Sequence, residues 1–468
     1  MRRTLIAAIL ALAAALAVAS PAAATVRQVT LRYGPIHMAP YELKRGDITY
    51  GIPTPRMDGF VTHMEANVVD AAGKPVPIQR VMLHHVVFFN SGPRLGARRD
   101  GTCGRFTLFD NQSQLPTLGQ RFFGVGEERE QGILPPGYGY PIGSADQWEM
   151  TWMLMSHRNR RDNVWIQYKV TVDDSALLKP VEPYWLDVRN CRQDPVFDVP
   201  GGRRRGSTYS QSTTWTVPKT GLLVAGVGHL HGGGKKVVLS QPRCGNRTLF
   251  DSRPLWGMPS DPYYRVRPLL HEPGPISMRQ FTSGQGIPVR AGERLRLRAT
   301  YDDRLPHARV MGIMMLALSP DATADTSCSR PLPGDLDRFW LRHDGRTRTP
   351  LVRVPINGFA AGFRPGARAR AIRRPRGRTV RLRSGALVEV GSLYFGPRNI
   401  SIRRGAALRW HFFGNTLHNV TLANGPRGFS SPNLDREREY SYRFRRRGVY
   451  RLYCGLHPVE MTSTVVVR

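Results

Sequence analysis

The sequence predicts an all-β chain of several sandwiches, and three observations carry that prediction. No stretch sustains an apolar period of 3.6 residues; short β-branched and aromatic runs alternate with Gly, Pro, Asn and Asp clusters. Trp148 to His157 alternates, with Trp148, Met150, Trp152 and Leu154 on one face and Met153, Met155 and His157 on the other. The 468 residues suffice for about three domains of ordinary size, and 41% hydrophobic residues provide ordinary cores.

Residues 1–24 start with Arg2 and Arg3, run through an apolar stretch from Leu5 to Val18 and end at Ala22-Ala23-Ala24. That order is a secretory signal, and the run is shorter than the roughly 20 residues of a membrane span. Export to the periplasm or medium is expected, by the general route or, given the paired arginines, by twin-arginine export. No later run is long and apolar enough to span.

The net charge of +33 comes from 61 Arg and 7 Lys against 35 acidic residues. Export argues against a nucleic-acid partner. The excess reads as arginine on solvated faces, with contact to an anionic surface as the alternative. In an oxidising compartment, Cys103, Cys191, Cys244 and Cys328 allow two disulfides in three connectivities, of which Cys244 with Cys328 is favoured.

Taken in order, residues 25–179 form a first β unit. Its run Val81 to Phe89 contains His84-His85, and adjacent strand residues point to opposite faces. Both imidazoles can therefore reach one metal only if the strand twists or ends there; otherwise one is a core imidazole. His157 ends a strand, Arg158 to Asp162 turn the chain, and Val164 to Val172 return.

Residues 180–330 form a second β unit. Its strand Leu222 to Leu230 ends in His229-Leu230-His231, followed by Gly232-Gly233-Gly234. Residues two apart share a face, so these two imidazoles can chelate one ion, and the glycines let the chain turn away. Further on, Met311, Met314 and Met315 lie on the strand Val310 to Leu318, where core packing is the default reading.

Residues 331–384 are rich in Pro, Gly and Arg, with nine arginines between Arg364 and Arg383, and read as a linker. Residues 385–468 give the short strands of a compact sandwich. There Tyr453 to Val466 places Cys454, His457 and Met461 in one turn, and His418 lies 36 residues upstream. A thiolate, two imidazoles and a thioether are the ligand set of an electron-transfer copper.

These last residues resemble the plastocyanin-like cupredoxins, a Greek-key β-sandwich family, through Asn415-x-x-His418-Asn419-Val420 and Cys454-x-x-His457-Pro458. The resemblance implies a type I blue copper held by His418, Cys454 and His457 with Met461 as axial ligand. Three residues separate His457 from Met461, where two or four are common in the family.

The front of the chain, from about residue 50 to 320, resembles the copper type II, ascorbate-dependent monooxygenases, the peptidylglycine and dopamine hydroxylase family. The order of motifs carries this: His84-His85, His157, His229-x-His231, then Met311. The resemblance implies two jelly-roll-like antiparallel sandwiches, with an electron-storing copper on His84, His85 and His157. A second, oxygen-activating copper would be held by His229, His231 and Met311, the catalytic set. It implies O2, an organic substrate and an electron donor as partners, with the fused cupredoxin as electron inlet. The family's substrate-binding residues have no match here.

The expected function is thus an exported copper oxidoreductase of monooxygenase type. The alternative is a non-catalytic electron carrier or copper-handling protein that keeps the fold. A multicopper oxidase is disfavoured, because Cys454 is flanked by Tyr453 and Gly455 rather than by histidine.

Overall fold

The computed structural model describes residues 25–103, 119–192, 195–258, 260–261, 270–350 and 374–468. The expected export signal and residues 351–373 of the expected linker lie outside the described residues. Among those described the chain is all-β, with one 3-10 turn at Pro242–Cys244 and no α-helix. Among the described residues no helix is long and apolar enough to cross a membrane.

Three apolar cores organise the strands. The first lies between a sheet built on Val26–Met38, Asp162–Asp173 and Gly59–Val69 and a four-stranded sheet ordered Leu43–Ile52, Gln147–Ser156, Val81–Gly92, Gln120–Gly126. The alternation from Trp148 explains the second sheet. Trp148, Met150, Trp152 and Leu154 enter this core, while Met155 and Met153 turn to the opposite side, into a small cluster with Met82 and Leu270.

The second core lies between the sheet containing Glu182–Asp187, Gly312–Pro320, Gly221–Leu230 and Gln280–Val289 and the sheet Thr208–Thr216, Arg294–Asp302, Gly234–Gln241, Arg247–Ser252. The third belongs to the C-terminal strands. Here the pairing is mixed: Ala386–Gly391 runs parallel to Ala407–Phe412, and Asn399–Ile402 parallel to Thr462–Val467.

The segment expected to be a linker is built into the sheets at both ends. Asp337–Phe339 pairs with Gln280–Val289, and Val380–Arg381 pairs with Asn399–Ile402. Two disulfides form, Cys244–Cys328, as favoured, and Cys103–Cys191. The latter ties the segment after Val81–Gly92 of the first unit to the second unit.

The C-terminal sandwich is seated on the second one. Asp198 accepts from Ser430 N and Oγ at 2.8 Å each, Gly428 N donates to Pro200 O at 2.8 Å, and Arg309 donates to Ser431 O at 3.1 Å. This seating turns the Cys454 loop toward the front units.

Candidate metal centres

In the C-terminal sandwich, His418 and the strand Gly448–Tyr453 bring three donors together. His418 Nδ1 and His457 Nδ1 are 3.1 Å apart, and Cys454 Sγ lies 3.9 and 3.8 Å from them. Bonds of about 2.0–2.1 Å to nitrogen and about 2.3 Å to sulfur give edges close to these, so the triangle is the size a single ion requires. The residues present fit copper by donor chemistry as well.

The surroundings hold that triangle. His418 is fully buried and exchanges backbone bonds with Leu434. Asn419 N–H points to Cys454 Sγ at 3.4 Å, and its side-chain oxygen accepts from Gly455 N at 2.7 Å, so the two ligand segments are tied together. Met461 is fully buried in the same core as Cys454, and its N–H donates to His457 O at 3.1 Å. That single turn is how a three-residue spacing returns Met461 to the core. Burial, then His457, lowers the pKa of His418 to about 4, which leaves its imidazole neutral at pH 7.

A second collection of imidazoles lies between the two front sandwiches. His84, His85, His229, His231, Met311 and His271 all line one cavity of about 220 Å³. The two adjacent histidines do reach the same side, and a β-bulge is the reason. Leu83 faces Leu154 while His85 faces Met153, so His84 is the extra residue. Burial shows the same flip of parity: Val81 and Leu83 enter the first core before the bulge, Val86 and Phe88 after it. His84 and His85 are thereby released together to the cleft, with their Nδ1 atoms 3.0 Å apart.

From the opposite wall come His229 and His231, with ring centroids 5.1 Å apart, at the end of Gly221–Leu230. The glycines after them are set by close approach. A Cβ on Gly233 would lie 2.3 Å from the His307 ring, and one on Gly232 would lie 2.4 Å from Glu272. Tyr301 locks this wall: its hydroxyl accepts from His231 N at 3.0 Å and donates to Met311 O. Of the three methionines, Met314 belongs to the second core, while Met311 and Met315 line the cavity.

The two walls meet. His84 and His231 have ring centroids 5.8 Å apart, so the two expected histidine sets adjoin rather than face each other across open solvent. His157 is buried, its Nδ1 lies 2.7 Å from Ile78 O, and it is not among the residues lining the cavity. Burial, opposed by the Ile78 bond and helped by the nearby His271, lowers the pKa of His157 to about 4.

Residues that the sequence reading passed over complete the cleft. His271 lies 4.6 Å, ring to ring, from His84 and 5.7 Å from His231. Glu127 and Glu128 follow the strand Gln120–Gly126 of the first unit and reach imidazoles of the second. Glu128 Oε1 is 2.6 Å from His229 Nδ1, and Glu127 Oε1 is 3.0 Å from His271 Nδ1. Gly126 leaves room for this, since a Cβ there would be 2.7 Å from Glu128 and 3.0 Å from His229. A run with three glutamates in four residues, Glu127 to Glu130, stands out in a chain with twice as many basic as acidic groups. That run was the available signal.

The cleft therefore mixes protonation tendencies. Burial, then neighbouring imidazoles, pushes His84 and His231 well below the usual histidine range, and burial, then His229 and Arg45, takes His85 to about 4. For His229 and His271 burial lowers the pKa, but the glutamates outweigh it and both are raised. A carboxylate behind one ring nitrogen orients an imidazole as metal coordination requires, and the ion displaces the other proton. The C-terminal sandwich closes the mouth, with Asn419, Tyr453, Gly455 and Leu456 lining the same cavity.

No family model matches the chain, and no curated protein does. Among solved structures, an oxidised amicyanin variant matches 18% of this chain and 82% of its own length at 23% identity, with a TM-score of 0.17. A reduced amicyanin variant has the same coverage and score at 24% identity. A purple cupredoxin from Nitrosopumilus maritimus matches at 24% identity over 18% of this chain and 99% of its own, with a TM-score of 0.17.

Proposed function

We propose that this chain is an exported copper oxidoreductase of monooxygenase type. A blue-copper centre on His418, Cys454, His457 and Met461 serves as the electron inlet. His229, His231 and Met311 would hold the copper that supplies oxygen chemistry, and His84 and His85 would hold a second cleft copper without His157, which does not line the cavity. One observation carries the reading: the Cys454 loop lines the same cavity as five histidines and Met311.

Copper supplies one-electron transfer, and the thiolate and thioether ligands favour its reduced state. The rest is done by the chain. Glu128 holds the Nδ1 proton of His229, so that Nε2 is the free donor. Tyr301 fixes His231 and Met311 to each other through their backbones. Leu456, Met153 and Leu270 keep the cavity apolar and limit water.

The alternative, a copper carrier without turnover, draws on the modest cavity, which in this closed arrangement leaves space for small molecules only. Metal content and oxygen uptake separate the two. Reconstituted full-length protein is expected to bind three coppers and to consume O2 when supplied with reductant and substrate. One copper per chain, or background uptake across substrate classes, would refute the oxygenase reading.

Glu128 yields a more local prediction. Glu128→Gln is expected to weaken copper binding at His229 about 10–100-fold, measured by titration of the copper-free chain with the blue centre as internal reference. Unaltered affinity would remove Glu128 from the site.

A further inference from the structure

The structure assigns a metal site that neither motif set contains: His84, Glu127 and His271, bridging the two front sandwiches. One ligand atom from each lies within 4.8 Å of the others, a spacing that an ion with bonds of about 2.0–2.2 Å can close with small side-chain movements.

Three features point to a ligand rather than to a hydrogen-bonded cluster. His271 Nδ1 is buried and lies 3.0 Å from Glu127 Oε1 as an ion pair out of good hydrogen-bond alignment. Nitrogen and carboxylate oxygen face one another without the alignment of donor to acceptor, as two donors aimed at a common third point do. Glu127 is meanwhile braced from behind, since its other oxygen accepts from Gly274 N at 2.7 Å. And the bulge that frees His84 from its sheet delivers that ring 4.6 Å from His271.

Two imidazoles and one carboxylate suit a divalent d-block ion, with Cu2+ and Zn2+ as the probes. His84 and Glu127 come from the first sandwich and His271 from the second, so the ion would pin the cleft shut. The inference rests on the proposed function only in sharing His84, whose partners become His271 and Glu127 in place of the His157 expected from motif order.

The test uses the full chain stripped of metal, then titrated with Cu2+ or Zn2+. Metal per chain and the metal-induced rise in melting temperature are the readouts. His271→Ala and Glu127→Ala are each expected to lose one equivalent, through a drop in affinity of at least about 100-fold, together with most of that rise. His157→Ala is expected to keep both. The cooperative unfolding transition of the metal-free chain reports that each variant is folded, and His271→Gln replaces any variant that lacks it. Wild-type stoichiometry in the His271 and Glu127 variants, or loss in the His157 variant alone, overturns the site. Oxygen uptake by the wild type is read separately, so failure of the oxygenase reading leaves this result standing.

Discussion

Replacing Cys454 with serine is expected to abolish the blue absorption entirely while leaving copper in the cleft. The thiolate is the only soft anionic donor in the C-terminal triangle, and a hydroxyl matches neither its charge nor its polarisability. Sulfur lies 3.8–3.9 Å from both imidazole nitrogens, so its removal opens one corner of the set without disturbing the other two. Fold is expected to survive, because serine is nearly isosteric with Cys454 and the third core around it is filled by Trp410, Phe412, Phe444 and Tyr450, all fully buried. Optical spectra and metal counts check this. A Cys454→Ser protein that stays blue, or that loses all its copper, contradicts the assignment of separate centres.

The second large effect concerns Glu130, which is buried where the first unit meets the second and accepts from Met278 N and Gln280 Nε2. Burial, opposed by those bonds and helped by Glu128, raises its pKa from 4.5 to about 8. A carboxyl whose pKa is raised on folding gives its full stability below the unfolded value, and that contribution is lost as pH rises toward the folded one. Stability should therefore fall between about pH 4.5 and pH 8 and level off above, by an amount on the order of several kcal/mol. Glu130→Gln cannot ionise and is expected to remove that slope. Denaturant unfolding at pH 5, 7 and 9 measures it; parallel profiles for the two proteins would show that Glu130 is not the group responsible.

Much of the candidate chemistry was legible because it is local. Cys454, His457 and Met461 share one turn, and His229 and His231 share a strand face by the two-residue repeat alone. The His84-His85 pair was legible as a question, since the repeat puts the two on opposite faces unless the strand is irregular. The bulge that answers it comes from the pairing of Val81–Gly92 with Gln147–Ser156, and a strand does not contain its partner's register. His157 shows the converse. Motif order groups it with His84 and His85, while the fold turns its Nδ1 to Ile78 O.

By itself the sequence determined the all-β class and the candidate donor residues, because alternation, turn residues and donor chemistry are properties of short segments. Only the tertiary structure decided that the two front histidine sets adjoin, that Glu127, Glu128 and His271 join them, and that the Cys454 loop closes their cavity. Each of those depends on contacts between segments far apart in the chain, Glu127 with His271 and Asp198 with Ser430 among them. Such contacts arise from surfaces meeting after the strands have formed, and no periodicity encodes them.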